Sequence, residues 1–288
     1  MKRSYQILLA ASLAFAAPLT WAPVAQANDF DDESLPIFSE FTIDGITAKV
    51  TKGINLIDDA DGTLGAFSDF YYNEGITNIT FNDPSLRQAV AGKSNAFTFG
   101  NESVVFNFDK ALGQNGTNIK SDVWAPTGAN AERNTSDYLA VFQGNSVTVD
   151  LADSLNYFGM NWGALSSSNK FEFLQVDDSG VETSLGLFDY NNVFGANDSK
   201  LPTQAAHQNN EYNGFVHFYA NETDGLFNRI KITQAGGGGF ETDNYSFRFS
   251  DQSFDFEEGK DAAETPEPGA LLGLMAIGGM MVRRRLLA

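Results

Sequence analysis

Apolar and polar residues alternate along most of this chain with a period of two, and that pattern leaves little freedom to the fold. It runs through Ser103 to Phe108, Ser146 to Leu151, Lys170 to Leu174 and Arg229 to Thr233. Shorter examples lie at Phe41 to Ile43, Ala48 to Val50, Thr77 to Phe81, Phe215 to Tyr219 and Tyr245 to Phe249. Successive side chains of a strand point to opposite faces, so each stretch predicts a half-buried strand. About ten strands are expected, separated by Gly, Asn, Asp and Ser clusters that suit antiparallel pairing. No long segment repeats at 3.6, and only Pro84 to Val90 reads as a short helix.

Ten short antiparallel strands must hide their edges, in a two-sheet sandwich or jelly roll or in a closed barrel. The uneven loops, with long polar stretches at Gly113 to Asp137 and Tyr190 to Asn213, favour the sandwich. A membrane barrel is disfavoured because charged residues occupy one alternating face and most strands are short. The 25 phenylalanines supply a large core. With no cysteine, the chain holds together by burial, without disulfides, and has no thiol chemistry.

Both ends carry export signals. Lys2 and Arg3 precede an apolar run from Ile7 to Ala17, and Ala25-Gln26-Ala27 supplies small residues for cleavage, so the mature chain is expected to begin at Asn28. At the other end stand Pro266-Glu267-Pro268, an apolar run from Gly269 to Val282, and Arg283-Arg284-Arg285. That run has 14 residues, about 21 Å as a helix against a hydrocarbon core of about 30 Å. Arginines following apolar residues are held on the cytoplasmic side, which leaves the rest of the protein outside. This order of features resembles the PEP-CTERM sorting signal of bacterial proteins. The resemblance implies an exosortase, a membrane enzyme that cuts near Pro-Glu-Pro. The alternative is a single-pass anchor that is never cut.

The expected organisation is a signal peptide over 1–27, an extracytoplasmic β-sandwich over 28–255, an acidic extended linker over 256–265 and a sorting tail over 266–288. Between 28 and 266 the chain has 13 basic and 36 acidic residues, a net charge of −23. Nucleic acid is excluded, because its binding rests on cations neutralising phosphates. The acidity fits either calcium affinity or solubility.

A second resemblance covers roughly residues 100 to 249. Tyr138 to Val141, the strand at Ser146 to Leu151, Tyr157-Phe158-Gly159-Met160-Asn161-Trp162-Gly163, Phe215 to Tyr219, Phe227 to Ile230 and Phe240-Glu241-Thr242-Asp243-Asn244-Tyr245 occur in an order similar to a family of exosortase-dependent surface proteins common in cyanobacteria. It implies an extracellular β-sandwich ending in a sorting tail and carries no ligand with it.

Asp58-Asp59-Ala60-Asp61-Gly62 sets carboxylates beside a glycine turn, a source of hard oxygen ligands for calcium. It is not an EF-hand, since Ile57 and Ser68 fall on the first and twelfth positions of that register. An acidic hairpin turn accounts for it equally. Asp243 and Asn244 could likewise share an ion or fix nearby backbone. The run Gly236 to Gly239 has no following Lys-Ser or Lys-Thr and reads as a hairpin connection.

Among the aromatic residues Trp124, Trp162, Tyr71, Tyr72, Tyr212 and Tyr219, Trp162 shares a strand face with Phe158 and Met160 and belongs in the core. Trp124 and Tyr212 lie in polar stretches and are the candidate sugar contacts. There is no nucleophile elbow and no zincin helix. The function expected is a non-enzymatic exported surface or extracellular-matrix protein, with exosortase, inner membrane and exopolysaccharide as partners. The alternatives are a carbohydrate- or calcium-dependent binding module, with calcium as its cofactor, and a secreted polysaccharide-active enzyme.

Overall fold

A computed structural model of the 288-residue chain describes residues 37–113, 117–194, 203–204 and 212–261. The expected signal peptide at 1–27 and sorting tail at 266–288 lie outside the described residues. Fifteen strands are described: β1 (Ser39–Ile43), β2 (Ile46–Thr51), β3 (Ile76–Ile79), β4 (Arg87–Ala89), β5 (Ala96–Phe99), β6 (Val104–Phe108), β7 (Thr117–Lys120), β8 (Tyr138–Phe142), β9 (Asn145–Gly163), β10 (Asn169–Val176), β11 (Glu182–Asp189), β12 (Thr203–Gln204), β13 (Tyr212–Ala220), β14 (Phe227–Gln234) and β15 (Gly239–Phe249). Two short helices, α1 (Tyr190–Phe194) and α2 (Phe256–Asp261), complete the described elements with two turns of 3-10 helix. The protein is mostly β, as the alternation predicts, and its strands join in one large antiparallel sheet.

The 19-residue strand β9 organises that sheet. Its first half pairs with β14 on one side and β6 on the other, and its second half pairs with β13 and β15. From the first half the sheet continues through β14 to β10 and β11, and through β6 to β5 and β4. From the second it continues through β13 to β2 and β1, and through β15 to β3, β8 and β7. Between the halves the register jumps: Arg229 faces Asp150, while Phe227 faces Leu155. The intervening β9 residues bulge out, with Ala152 and Asp153 exposed, and a bulge bends the strand that carries it.

The bend brings the two limbs of the sheet face to face. Phe218 of β13 meets Phe171 and Phe173 of β10, at 5.2 and 4.8 Å between ring centroids, although these strands share no hydrogen bonds. Trp162 packs on Phe171, Phe240 and Phe194, and Phe106 of β6 meets Tyr245 of β15. Phe158, Met160 and Trp162 all lie in this core, as period two places them. The alternate residues Tyr157, Gly159 and Asn161 face a layer of loops, so the second half of β9 is buried on both faces.

Three local expectations are corrected. The short helix expected over Pro84 to Val90 is one 3-10 turn at Pro84–Leu86, capped by Asp83, followed by strand β4. Pairing of Arg87–Ala89 with Phe97–Phe99 takes over from the helical turn. The two long polar stretches hold β7 in one case and α1 and β12 in the other. The extended linker expected from 256 is helical over Phe256–Asp261, and Phe254 and Phe256 are buried anchors, so the packed body continues past 255. Among the described residues no helix is long and apolar enough to cross a membrane.

Candidate functional site

Two polar clusters lie under the loop layer. In the first, Ser68 Oγ stands 2.7 Å from Tyr157 Oη, which is 2.8 Å from His217 Nδ1, and His217 Nε2 is 2.9 Å from Asp69 Oδ2. Thr51 Oγ1 donates to the same carboxylate oxygen at 2.6 Å. Hydroxyl, imidazole and carboxylate in a row resemble a nucleophilic relay, but Ser68, Tyr157 and His217 are fully buried and Phe70, Phe254 and Phe256 close over them. Enclosed in this way among the described residues, the row of groups gives polar atoms buried between rings their hydrogen-bond partners. Burial holds the Tyr157 hydroxyl well above its ordinary range.

The second cluster centres on Asp243. Its Oδ2 accepts from Asn134 Nδ2 and Ser136 Oγ, each at 3.1 Å, and its Oδ1 accepts from the Asn244 amide at 2.8 Å. Asn244 adopts a left-handed φ of 50°, and its Nδ2 donates to the carbonyls of Leu64 and Ala66. The pair therefore fixes backbone, clamping the loops before β3 and before β8 onto β15. Burial drives Asp243 up to about 7 against the bonds that oppose it.

An open site lies elsewhere. The ends of β7 and β8, the β9–β10 turn and the glycine hairpin between β14 and β15 surround a cleft of about 600 Å³. Trp124, Phe142, Lys120 and Glu241 line it, with Gln143, Ser166 and the backbone of Gly237 to Gly239. Trp124 and Phe142 are half-buried, backed by Ala125, Tyr138 and Ala140, so their rings are held from behind. Asp122 ties this wall together: it accepts from the Trp124 amide at 3.0 Å and from Tyr138 Oη at 2.6 Å, and lies 2.6 Å from Lys120 Nζ. Burial alone would raise its carboxyl, but the bonds from Lys120, Tyr138 and Trp124 outweigh that and hold it below the usual range. The Tyr138 hydroxyl is pushed far up, first by burial and then by Asp122.

Lys120 Nζ also sits 5.4 Å from the centroid of the Phe142 ring. Glu241 faces Ala140 on one side and Gly163 on the other, and its carboxylate lies against Gly239 where a side chain there would have to sit. The run from Gly236 to Gly239 is the hairpin connection that the sequence suggests, and it also forms a cleft wall.

Of the two sugar-contact candidates, Trp124 reaches the cleft and Tyr212 does not. Tyr212 opens strand β13, half-buried, rather than sitting in a loop. Asp59 is buried and closes its own turn: Oδ1 accepts from the Thr63 amide and hydroxyl, and Oδ2 from the Leu64 amide. Asp58 and Asp61 are exposed on the same turn. Among the described residues no group of three His, Asp or Glu side chains is placed to hold a metal. Pro266, Glu267, Pro268, Arg283, Arg284 and Arg285 lie outside the described residues, as do Ala25 and Ala27.

Of the residues around this cleft, only Trp124 stands out in the sequence, as an aromatic in a polar stretch. Glu241 was visible only as part of the Phe-Glu-Thr-Asp-Asn-Tyr element, and Lys120 and Phe142 carried no signal of their own. Position in β7 and β8 is what brings them together.

No protein-family model and no curated protein matches the chain. Solved structures show faint likeness. The catalytic domain of a GH87 α-1,3-glucanase in complex with tetrasaccharides is 12% identical, with a TM-score of 0.30, over 62% of this chain and 28% of that one. The enzymatically active domain of bacteriophage CBA120 tailspike protein 4 is 12% identical, with a TM-score of 0.25, over 58% of this chain and 22% of that one. A non-crystalline cellulose specific carbohydrate-binding module, CBM28, is 13% identical, with a TM-score of 0.24, over 48% of this chain and 91% of that one. Scores of this size assign neither a fold nor a function, and the chain spans under a third of the first two.

Proposed function

We propose that this is a non-enzymatic exported surface or extracellular-matrix protein, a β-sandwich whose two layers are the limbs of one bent sheet, that binds glycan in the cleft beside Trp124. The observation that carries the binding role is the cleft itself: two rings held from behind, beside groups able to pair with hydroxyls, around about 600 Å³ of open space. Flat rings suit the C–H face of a pyranose, and a few convergent polar groups fix orientation. Glu241 is the one carboxylate among the described lining residues, whereas glycoside hydrolysis generally uses two that flank the bond. This lining supports binding without cleavage.

Export and sorting rest on the sequence of the two termini. Lys2, Arg3 and the Ala25-Gln26-Ala27 site direct secretion, and Pro266-Glu267-Pro268 with Arg283 to Arg285 direct processing by an exosortase at the membrane.

Affinity electrophoresis of the full chain through a panel of polysaccharides, with reducing ends assayed in parallel, tests this reading. Retention without new reducing ends is expected, and Trp124→Ala should weaken it by about tenfold, equivalent to about 1.4 kcal/mol. Release of sugar fragments would make the protein an enzyme, and retention indifferent to Trp124 would move the site elsewhere.

A further inference from the structure

Resting on that reading of the cleft, we infer that its ligand is a neutral polysaccharide, recognised through the C–H faces and hydroxyls of unmodified pyranose rings, and that uronate- or sulfate-bearing glycans are turned away. Two independent observations carry this. The first is local charge. Among the described residues the cleft holds one ammonium, Lys120, which is committed to Asp122 at 2.6 Å and to the face of Phe142. Against it stand two carboxylates: Asp122, behind the wall and held ionised by its bonds, and Glu241, largely buried in the cleft wall. No arginine lines the cleft among the described residues, and the planar fork of arginine is the group best suited to a carboxylate or sulfate.

The second observation is the field of the whole molecule. A net charge of −23 between residues 28 and 266 repels a polyanion before any contact forms, and the repulsion extends about 10 Å at 0.1 M salt. A neutral glycan feels none of it. The remaining polar lining, Gln143, Ser166 and the glycine backbone, offers donors and acceptors of no charge, which match sugar hydroxyls.

The two charge classes differ in their response to salt. Affinity for a neutral glycan should change by less than about twofold between about 0.02 and 0.2 M salt, whereas residual affinity for a polyanion should rise as repulsion is screened. The experiment is affinity electrophoresis of the full chain against neutral glucans, mannans and xylans and against polygalacturonate, alginate and a sulfated galactan. It compares wild type, Trp124→Ala and Trp124→Phe, each checked by thermal melting; the phenylalanine variant keeps a ring should the alanine variant fail to fold.

Retention by a neutral glycan, at least about tenfold stronger than by any anionic one at low salt and weakened in a Trp124 variant that remains folded, is the expected result. Anionic glycans held as tightly as neutral ones, with the same dependence on Trp124, would overturn the charge selection and leave the glycan cleft standing. Retention by no glycan of either class, or retention unchanged in folded Trp124 variants, would remove the cleft reading and this inference with it.

Discussion

Asp243 has no exposed surface, yet its two oxygens accept three hydrogen bonds, and a proton on Oδ2 can be given to Ser136 Oγ, which in turn donates to Asn134 Oδ1 at 2.6 Å. The folded protein accommodates the acid form without losing a partner. Because burial lifts this carboxyl from an ordinary 3.8 to about 7, the folded state binds the proton more tightly than the unfolded chain does. The stability so gained is complete below about pH 3.8, declines as pH rises and is gone above about 7. Asp243→Asn should therefore remove a falling component between those values: melting temperatures of variant and wild type measured across pH 4 to 8 should converge, or cross in favour of the variant, at the alkaline end. Parallel profiles would show that Asp243 does not titrate in this range. The Asp-Asn pair was legible as a backbone-fixing element, and its burial was not. Gly159 in the Phe-Gly-x-x-Trp-Gly element has a reason of the same kind, for the Tyr157 ring and hydroxyl fold back over it and a methyl group there would collide with them.

Helix α2 has six residues, too few to hold as an isolated helix, so tertiary contacts must hold it. Phe256 packs 4.9 Å from Phe70, Phe254 packs 4.8 Å from Tyr157, and the Phe254 amide donates to the Ala220 carbonyl at 2.8 Å. Lys49 Nζ lies 4.4 Å over the Phe256 ring and 3.3 Å from Glu257. This strap closes the side of the loop layer that encloses His217. Phe256→Ala should cost about 3 kcal/mol, the lower end for a buried phenylalanine, whereas Glu258→Ala on the same helix should change stability by less than about 0.5 kcal/mol. Urea denaturation monitored by circular dichroism compares them, and equal midpoints would show that the strap is not part of the cooperative unit. The segment looked like a linker because its acids dominate the composition, while two phenylalanines spaced by one residue were its real signal. In strand β9 the exposed Ala152 and Asp153 interrupt the alternation, so the sequence pattern stops at Leu151 while the backbone continues as one bulged strand to Gly163.

For the whole molecule, the proposed sorting route predicts two ends that intact-mass measurement of protein from its native host can read. The mature chain is expected to start at Asn28 and to stop close to Pro266, Glu267 and Pro268, with Glu267→Ala leaving an uncut form in the membrane. A mass corresponding to Asn28 through Ala288 would replace sorting with a plain anchor. The all-β antiparallel class and the core position of Trp162 followed from the sequence alone, because alternation and apolar character are properties of residues adjacent in the chain. The bend of β9, the meeting of β10 and β13 rings, the His217 chain and the cleft did not follow. His217 and Asp69 stand 148 positions apart, and Asp243 and Asn134 stand 109 apart. Lys120, Phe142 and Glu241 meet Trp124 only because β7, β8 and β15 lie side by side. Local pattern fixes which face of a strand is buried, whereas the register and bending of the sheet, set by packing across both limbs, decide which distant polar groups and rings share a site.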